Sequence, residues 1–346
     1  MSGTREQKWQ IARGIAILAV VLIHCPNAIS AEISSMDFKS WLVLRQLINF
    51  PVALFFFMAG RFTNIERYSG YPDFLIKRCV KRLLVPFLIW STLYGLFGAL
   101  RSMGNGSSIV FGDLMIKIIS GKSAPHLYYV VVLLQLTLLT PLILWLLKKQ
   151  AYWVILLVEF TWMSYIYYSC YSLGALPSIY HMVFPAWIVF FAAGLRSRTQ
   201  KTRGIPLCLI GFAIGIEILE AFLSVRMGAP LAFACSQVRL SSFLFAKVVI
   251  DYFLNSERTA SSWIDRGLVY LGDRSYAIYF IHYLFILVAK PVVGRFRVSF
   301  FGISWMFQAL LVFVISLTGS IFVVQSVHQI RVRIKNQETP VNSSCS

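Results

Sequence analysis

The chain alternates long apolar stretches with short polar segments over almost its whole length. Most of these stretches have about 20 residues, which an α-helix needs to cross the hydrocarbon core of a bilayer. They fall at 9–29, 41–60, 83–101, 126–147, 151–171, 179–195, 205–223, 231–254, 268–289 and 299–327. The pattern predicts an all-α, polytopic integral membrane protein with about ten transmembrane helices.

Composition and charge support this fold class. Hydrophobic residues make up 58% of the chain and charged residues 13%, whereas soluble domains carry about 25% charged residues. The 32 lysines and arginines outnumber the 14 acidic residues, and they cluster at the ends of apolar stretches rather than on one soluble module. This distribution indicates membrane topology and argues against a nucleic-acid partner. Most basic residues share a side with the N-terminus, so both termini are predicted to be cytosolic.

Common metal and nucleotide motifs are not visible in the sequence. The six cysteines are scattered and lie mostly inside apolar stretches. Their spacing is typical neither of a metal site nor of a disulfide framework. No Walker loop, HExxH or GxSxG is present,. The sequence therefore predicts no metal, and any chemistry must come from isolated polar side chains in the spans.

The first apolar stretch contains two such side chains, Arg13 and His24. Eleven residues of α-helix return to within about 20° of the starting direction, so both lie on one face, about 16 Å apart. Ionisable groups are costly at membrane depth and usually face a wet cavity or a partner. The spacing predicts a polar track through the bilayer.

The segment 61–82 is strongly basic and places Arg78 and Arg82 at i and i+4 of a helix,. Two interpretations remain open. The pair anchors the chain at the cytosolic surface, or it binds a phosphorylated ligand, because arginine pairs bidentately with phosphate.

His126 opens the fourth apolar stretch and precedes Tyr128 and Tyr129. At the end of a span these residues are typical of an aromatic belt. We expect His126 to be an interfacial side chain near external water.

The ninth stretch carries Ser275, Tyr279 and His282 at i, i+4 and i+7, on one helix face,. His282 lies about as far from the cytosolic end of its span as His24 does, so the two imidazoles are predicted at similar depth. For His282, a hydrogen bond to a neighbouring hydroxyl is the simpler interpretation.

Acidic residues inside predicted spans indicate ion pairs between helices. Glu159, Glu217 and Glu220 are such residues. Arg239 and Lys247 are candidate partners, although Lys247 can instead pair with Asp251 at i+4,.

Together these segments resemble the acyltransferase-3 family, membrane enzymes that acylate sugars of the cell envelope. The landmarks, in order, are Arg13-Gly14 followed by His24, the FFFMAG run ending at Gly60, Arg78, Arg82 and Pro86 in RCVKRLLVP, HLYY at 126–129, and LGDRSYAIYFIH ending at His282. Two positions depart from the family pattern. Gln10 stands where relatives often have Asp, and Ala59-Gly60 where they often have Ser-Gly.

The resemblance implies transfer of an acyl group, usually acetyl from acetyl-CoA, to a hydroxyl of a lipid-linked or exported glycan such as O-antigen. Acetyl-CoA would be a co-substrate, and the partners would be the glycan and the lipid bilayer. The location would be a bacterial-type inner membrane. The family domain would occupy 1–335, followed by a short polar tail at 336–346.

The resemblance also suggests roles for the candidate residues. His24 would be the general base, or an acyl carrier, and Arg13 would hold the donor. Arg78 and Arg82 would capture the donor at the cytosolic mouth. The substrate cavity would be completed by His126, Ser275, Tyr279 and His282.

A transporter or flippase using the track from Arg13 to His24 is the competing interpretation. No inverted repeat is visible to support it. Acceptor specificity is expected in external loops such as 102–125.

Overall fold

The computed structural model describes residues 2–26, 34–106, 108, 110–198, 207–256, 258–295 and 304–338. Every regular element in these ranges is a helix, so the all-α prediction is confirmed. Of the predicted tail 336–346, residues 336–338 continue the last helix, and the rest lies outside the described residues.

Beyond the first two residues, the chain divides into two compact units, 3–9 with 40–258 and 10–39 with 259–346. Helices α1 (Ser2–His24) and α2 (Met36–Leu47) contribute to both. The first unit also contains α3 (Pro51–Arg61), α4 (Tyr71–Phe74), a π-helix (Leu75–Leu84), α5 (Val85–Gly104), α6 (Phe111–Ser120), α7 (Tyr128–Leu138), α8 (Thr140–Lys148), α9 (Tyr152–Ser172), α10 (Ile188–Arg196), α11 (Leu207–Arg226), α12 (Leu231–Ala234) and α13 (Leu240–Asn255). The second contains α14 (Trp263–Val293) and α15 (Ser304–Glu338).

Within the described ranges, 5 helical segments are long and apolar enough to cross a membrane. They are Met36–Arg61, Tyr71–Gly104, Cys208–Arg226, Trp263–Val293 and Trp305–Arg333. The pair α7 and α8, bent by 53°, makes a sixth if it forms one span. Several spans are thus supported by length and composition, while the count of ten and the cytosolic termini stay predictions.

Several predicted spans are not single helices, and two of them contain longer breaks. Residues 179–195 form a loop, a 3₁₀ turn (Phe184–Ala186) and the short helix α10. Pro185 lies in the turn and has no backbone N–H to donate, which favours a helix start over a helix interior. Residues 231–254 divide into α12 and α13, because Arg239 adopts an extended conformation before α13.

The predicted polar loop 102–125 contains the helix α6. It packs on α5 through Ile118, which is buried. The hydroxyl of Ser91 donates a hydrogen bond to the Ile118 carbonyl at 2.7 Å. Part of this segment is therefore an ordered helix rather than an extended loop.

Pro51 begins a new helix inside the second predicted span, and Gly60 allows close packing near the end of that span. The helix ends at Leu47 and restarts with Pro51 at the first turn of α3. A Cβ atom at Gly60 would lie 2.0 Å from the Phe191 carbonyl oxygen of α10, so only glycine permits this approach,.

The acidic side chains inside the helices have three different kinds of partner. Arg239 is fully buried and pairs with Glu217 at 3.8 Å and with Glu220 at 3.9 Å. Lys247 pairs with Asp251 on its own helix. Glu159 accepts a hydrogen bond from the Val189 N–H at 2.7 Å. The expected ion pair is therefore found for Glu217 and Glu220, whereas Glu159 is bound by the N-terminus of α10.

Candidate functional site

Two glycines bring α1 and α14 very close together in the second unit. A Cβ atom at Gly14 would lie 2.1 Å from the Leu268 carbonyl oxygen, and one at Gly272 would lie 2.0 Å from the Gln10 carbonyl oxygen. Cβ atoms tilt toward the N-terminus of a helix while carbonyls point toward its C-terminus. Reciprocal contacts of this kind bring the two backbones together at the glycines.

Ten residues beyond the glycines on both helices, His24 of α1 contacts His282 of α14, so the two helices run parallel. Their ring centroids are 5.7 Å apart, with 33° between the ring planes. The ring of Tyr283 contacts His24 edge-on at 5.6 Å. The distance agrees with the prediction that the two imidazoles lie at similar depth.

Hydrogen bonds fix the tautomer of His282. Its Nδ1 lies 2.8 Å from the Tyr279 carbonyl oxygen and 3.1 Å from that of Ile278. A carbonyl oxygen only accepts, so Nδ1 carries the hydrogen and Nε2 of the neutral ring is an acceptor. The expected hydroxyl partner is replaced at Nδ1 by backbone carbonyls.

The two histidines differ in access. His282 is fully buried, whereas His24 is half-buried. Lys290 donates a hydrogen bond to the Pro26 carbonyl at 2.8 Å, which fixes the end of α1 against α14. Of the two rings, His24 is the one that a reactant can reach.

Arg13 lies on the same helix as His24 but well away from it. Its guanidinium donates to the side-chain oxygen of Gln10 at 3.2 Å. Gln10, which stands where relatives often have Asp, therefore still accepts a hydrogen bond from Arg13 but carries no negative charge. Eleven residues of helix separate Arg13 from His24 by about 16 Å, so the two side chains do not touch.

Ser275, Tyr279 and His282 form a buried face of α14, with exposures of 7%, 8% and 0%. The ring of Tyr279 lies 6.3 Å from that of His282. The predicted sharing of one helix face is confirmed. The second unit thus brings His24, Tyr279 and His282 together.

Arg78 and Arg82 belong to the first unit, on the amphipathic π-helix. Arg78 is half-buried and donates to the Ala59 carbonyl at 3.3 Å. The Arg82 guanidinium is exposed and repels that of Arg78 electrostatically. Among the described residues, no carboxylate pairs with Arg78, and its buried Nε has no hydrogen-bond partner. The predicted α-helical i, i+4 spacing is replaced by a wider π-helical turn, yet the positive charge stays concentrated.

His126, which the sequence predicts to be an interfacial side chain, is packed inside the protein. It is 2% exposed, and its ring meets that of Tyr94 edge-on at 5.4 Å. A cavity of about 320 Å³ lies between α5 and α6, and its lining includes Ser102, Asp113 and Lys117. The segment expected to carry acceptor specificity therefore borders a polar cavity.

Arg45 is a candidate that the sequence analysis missed. It lies on α2, donates to the Asn49 side-chain oxygen at 3.2 Å, and interacts electrostatically with Tyr128 and Tyr180. The sequence contains a sign of it, because Arg45 is a cation inside an apolar stretch, as Arg13 is.

Within the part of the chain that the structure describes, no group of three or more His, Cys, Asp or Glu side chains could hold a metal ion. Comparison with protein-family models matches residues 7–325 to the acyltransferase-3 model, described as an acyltransferase domain. Neither the curated proteins nor the solved structures gave a match. The family match covers nearly the whole chain and includes all five landmarks in order. With several membrane-spanning helices, the chain belongs to the acyltransferase-3 family of multi-pass membrane acyltransferases.

Proposed function

We propose that the protein is an O-acetyltransferase that moves acetyl from acetyl-CoA to a hydroxyl of a cell-envelope glycan. The family supplies the reaction class, acyl transfer. The observation that carries the proposal is the contact between His24 and His282, 5.7 Å between ring centroids, with the tautomer of His282 fixed.

Hydroxyl acylation needs a base, because an alcohol is a poor nucleophile until its proton leaves. In the proposed step, His24 removes the hydroxyl proton as the oxygen attacks the thioester carbonyl carbon. The new C–O bond forms, the C–S bond breaks, and the CoA thiolate takes the proton from His24. The products are an ester and free CoA, and no further co-reactant is needed.

The difference in access supports His24 rather than His282 as the proposed base. His24 is half-buried and His282 is fully buried. With its Nδ1–H bound to backbone carbonyls, His282 would present the Nε2 lone pair beside the imidazolium that forms at His24. Such an acceptor stabilises the positive charge that develops during proton transfer.

Arg13 would hold the donor at a distance from the base. The separation of about 16 Å along the helix suits a long donor whose phosphates lie far from its thioester. Gln10 binds one end of the guanidinium at 3.2 Å, which fixes its direction.

Arg78 and Arg82 would bind phosphate groups of CoA. Two guanidinium groups that repel each other gain stability when an anion lies beside them, and arginine presents paired N–H donors to phosphate oxygens. The buried Nε of Arg78, which has no partner among the described residues, is one such donor.

The acceptor is proposed to be a lipid-linked or exported glycan, and the location the inner membrane. The 320 Å³ cavity beside α6 is a candidate contact for part of that glycan. The family match is to an acyltransferase domain, which supports acyl transfer over the competing transporter function.

The test follows acetyl-CoA with a labelled acetyl group in membranes that contain the protein and the surface polysaccharide. We expect labelled acetate to be released by mild alkali from the polysaccharide. His24→Ala should abolish the label at equal membrane abundance. His328→Ala, on an exposed part of α15, is the matched control and should behave as the parent. Acetyl-CoA consumption without polysaccharide ester would contradict the proposal.

A further inference from the structure

The first unit contains a second group of polar and aromatic side chains that the proposed mechanism does not use. We call Arg45, Tyr128, Tyr180, His181 and Glu217 the Arg45 cluster. They come from α2, α7, the segment between α9 and α10, and α11. Arg45 interacts electrostatically with Tyr128, Tyr180 and Glu217, so residues distant in sequence converge on one guanidinium.

Three rings of the cluster stack edge to face. His181 lies 4.3 Å from the centroid of Tyr128, at 89°, and 4.3 Å from that of Tyr180, at 62°. Each tyrosine combines an apolar ring face with a hydroxyl at its tip. The arrangement presents apolar surface and hydroxyl groups side by side.

The segment that carries Tyr180 and His181 is fixed by side chains of its neighbours. Gln135 donates to the Met182 carbonyl at 3.1 Å and accepts from the Phe184 N–H at 2.8 Å. The Trp162 indole donates to the Tyr180 carbonyl at 3.0 Å. Because the rings are ordered in advance, a ligand would not have to order them on binding.

A buried network also fixes the guanidinium of Arg45. The side-chain oxygen of Asn49 accepts from Arg45 at 3.2 Å. The Asn49 amide donates to Glu217 at 3.1 Å and to Ser242 at 3.2 Å. Asn49 and Glu217 are almost completely buried, so the network holds Arg45 in one direction.

The cluster is partly open at its surface and has unused hydrogen-bonding capacity. None of four members is fully buried, namely Arg45, Tyr128, Tyr180 and His181. Oε2 of Glu217 and Nδ1 of His181 are buried and have no hydrogen-bond partner among the described residues. Buried polar atoms are rarely left without a partner, so these two atoms point to a polar ligand or bound water.

The charged side chains in and around the cluster indicate which kind of ligand it can bind. Arg45 and Arg239 are offset by Glu217 and Glu220, which pair with Arg239. A phosphate or carboxylate at Arg45 would meet the Glu217 carboxylate as well. The cluster therefore favours a neutral ligand with both donors and acceptors, unlike the positive site at Arg78.

We propose that the Arg45 cluster binds one ring of a neutral, polyhydroxylated sugar. The tyrosine rings would cover the C–H face of the sugar, while the guanidinium, imidazole and carboxylate bind its hydroxyl groups. The proposal rests on the proposed function in one respect, that this sugar belongs to the acceptor glycan.

Binding can be measured without acetyl-CoA, on the purified full-length protein in detergent. The probe is the deacetylated oligosaccharide repeat unit, prepared by mild alkali from the surface polysaccharide of the native cells. Tyr180→Ala and Arg45→Gln should each weaken binding about tenfold. Tyr168→Ala, an exposed tyrosine on α9, is the matched control and should bind as the parent does. Inorganic phosphate should not compete.

Equal binding by the parent and both cluster variants would overturn the proposal. Effective competition by phosphate would also overturn it, because the cluster would then be an anion site. If Tyr180→Ala does not fold, Tyr128→Phe keeps the ring and tests the hydroxyl alone, with weaker binding expected. Binding that depends on Tyr180 in a parent that transfers no acetyl would support the sugar site and reject the acetyltransferase. Acetyl transfer by the parent, with unaltered oligosaccharide binding in both variants, would support the acetyltransferase and reject the sugar site.

Discussion

Two buried polar groups invite comparison, the ionic network around Arg239 in the first unit and the histidine pair in the second. Arg239 is fully buried between Glu217 and Glu220. His282 is equally buried, but its partner His24 stays half-exposed. The network directs its charges at one another, whereas the pair leaves one imidazole within reach of a reactant.

The difference shows that burial of an ionisable group does not by itself identify a catalytic residue. The Arg239 network is balanced by opposite charge, and removing one partner would leave an uncompensated charge inside the protein. The histidine pair is held instead by a contact between its rings and by hydrogen bonds from Nδ1 of His282 to backbone carbonyls. We therefore expect the network to control stability and the pair to control activity.

His24→Ala should have the largest effect on activity. Loss of a general base typically lowers the rate by about 10²–10⁴-fold. Because His24 is half-buried, the folded fraction should change little. Initial rates of ester formation at equal membrane abundance measure the effect, with His328→Ala as the control. A rate within a factor of about two of the parent would show that the histidine pair does not control activity.

Arg239→Met should have the largest effect on stability. It leaves Glu217 and Glu220 without their cation, which costs about 3–5 kcal/mol for a buried pair. The free energy of unfolding in detergent, from denaturant titration, measures the loss. Arg331→Met, on an exposed part of α15, should be neutral. Normal stability of Arg239→Met would show that the network contributes little.

Gly14→Ala and Gly272→Ala should each affect stability and activity together. The added methyl groups meet backbone atoms at 2.1 and 2.0 Å, so α1 and α14 must separate. Overpacking of this kind costs about 1–3 kcal/mol. Gly267→Ala, on the same helix α14 but with open space around it, is the matched control. Thermal unfolding and transfer rates that are equal in all three variants would show that the crossing is not close.

Arg78→Lys should have the smallest effect, on donor binding alone. Lysine keeps the charge but loses the paired N–H donors, so the KM for acetyl-CoA should rise about tenfold with kcat nearly constant. Lys81→Gln removes an exposed charge from the same π-helix and should leave KM almost unchanged. Equal changes in both variants would indicate a general effect of surface charge.

Much of the fold and part of the site could be predicted from the sequence. Apolar stretches of membrane length predicted an all-helical chain, and the spacing of Ser275, Tyr279 and His282 predicted a shared face. The break at Pro51 and the close contact at Gly60 follow from residue type. These features depend on local sequence, which a single chain displays directly.

Features that depend on long-range packing could not be predicted. Hydropathy does not distinguish a 17-residue helix from a loop, a 3₁₀ turn and α10, as in 179–195. The burial of His126 depends on Tyr94, 32 positions earlier in the sequence. The π-helical turn at Arg78 and the meeting of Arg45 with Tyr180 likewise depend on neighbouring helices.

The central claim is that His24 and His282 act as one catalytic unit, and a double-mutant cycle tests it most directly. His282→Asn keeps an N–H donor for the backbone carbonyls and removes the Nε2 acceptor. Rates of ester formation would be compared for the parent, His24→Ala, His282→Asn and the double variant at equal membrane abundance. We predict that the double variant is no slower than His24→Ala alone, because residues that act together are not additive. Losses that multiply in the double variant would contradict the account.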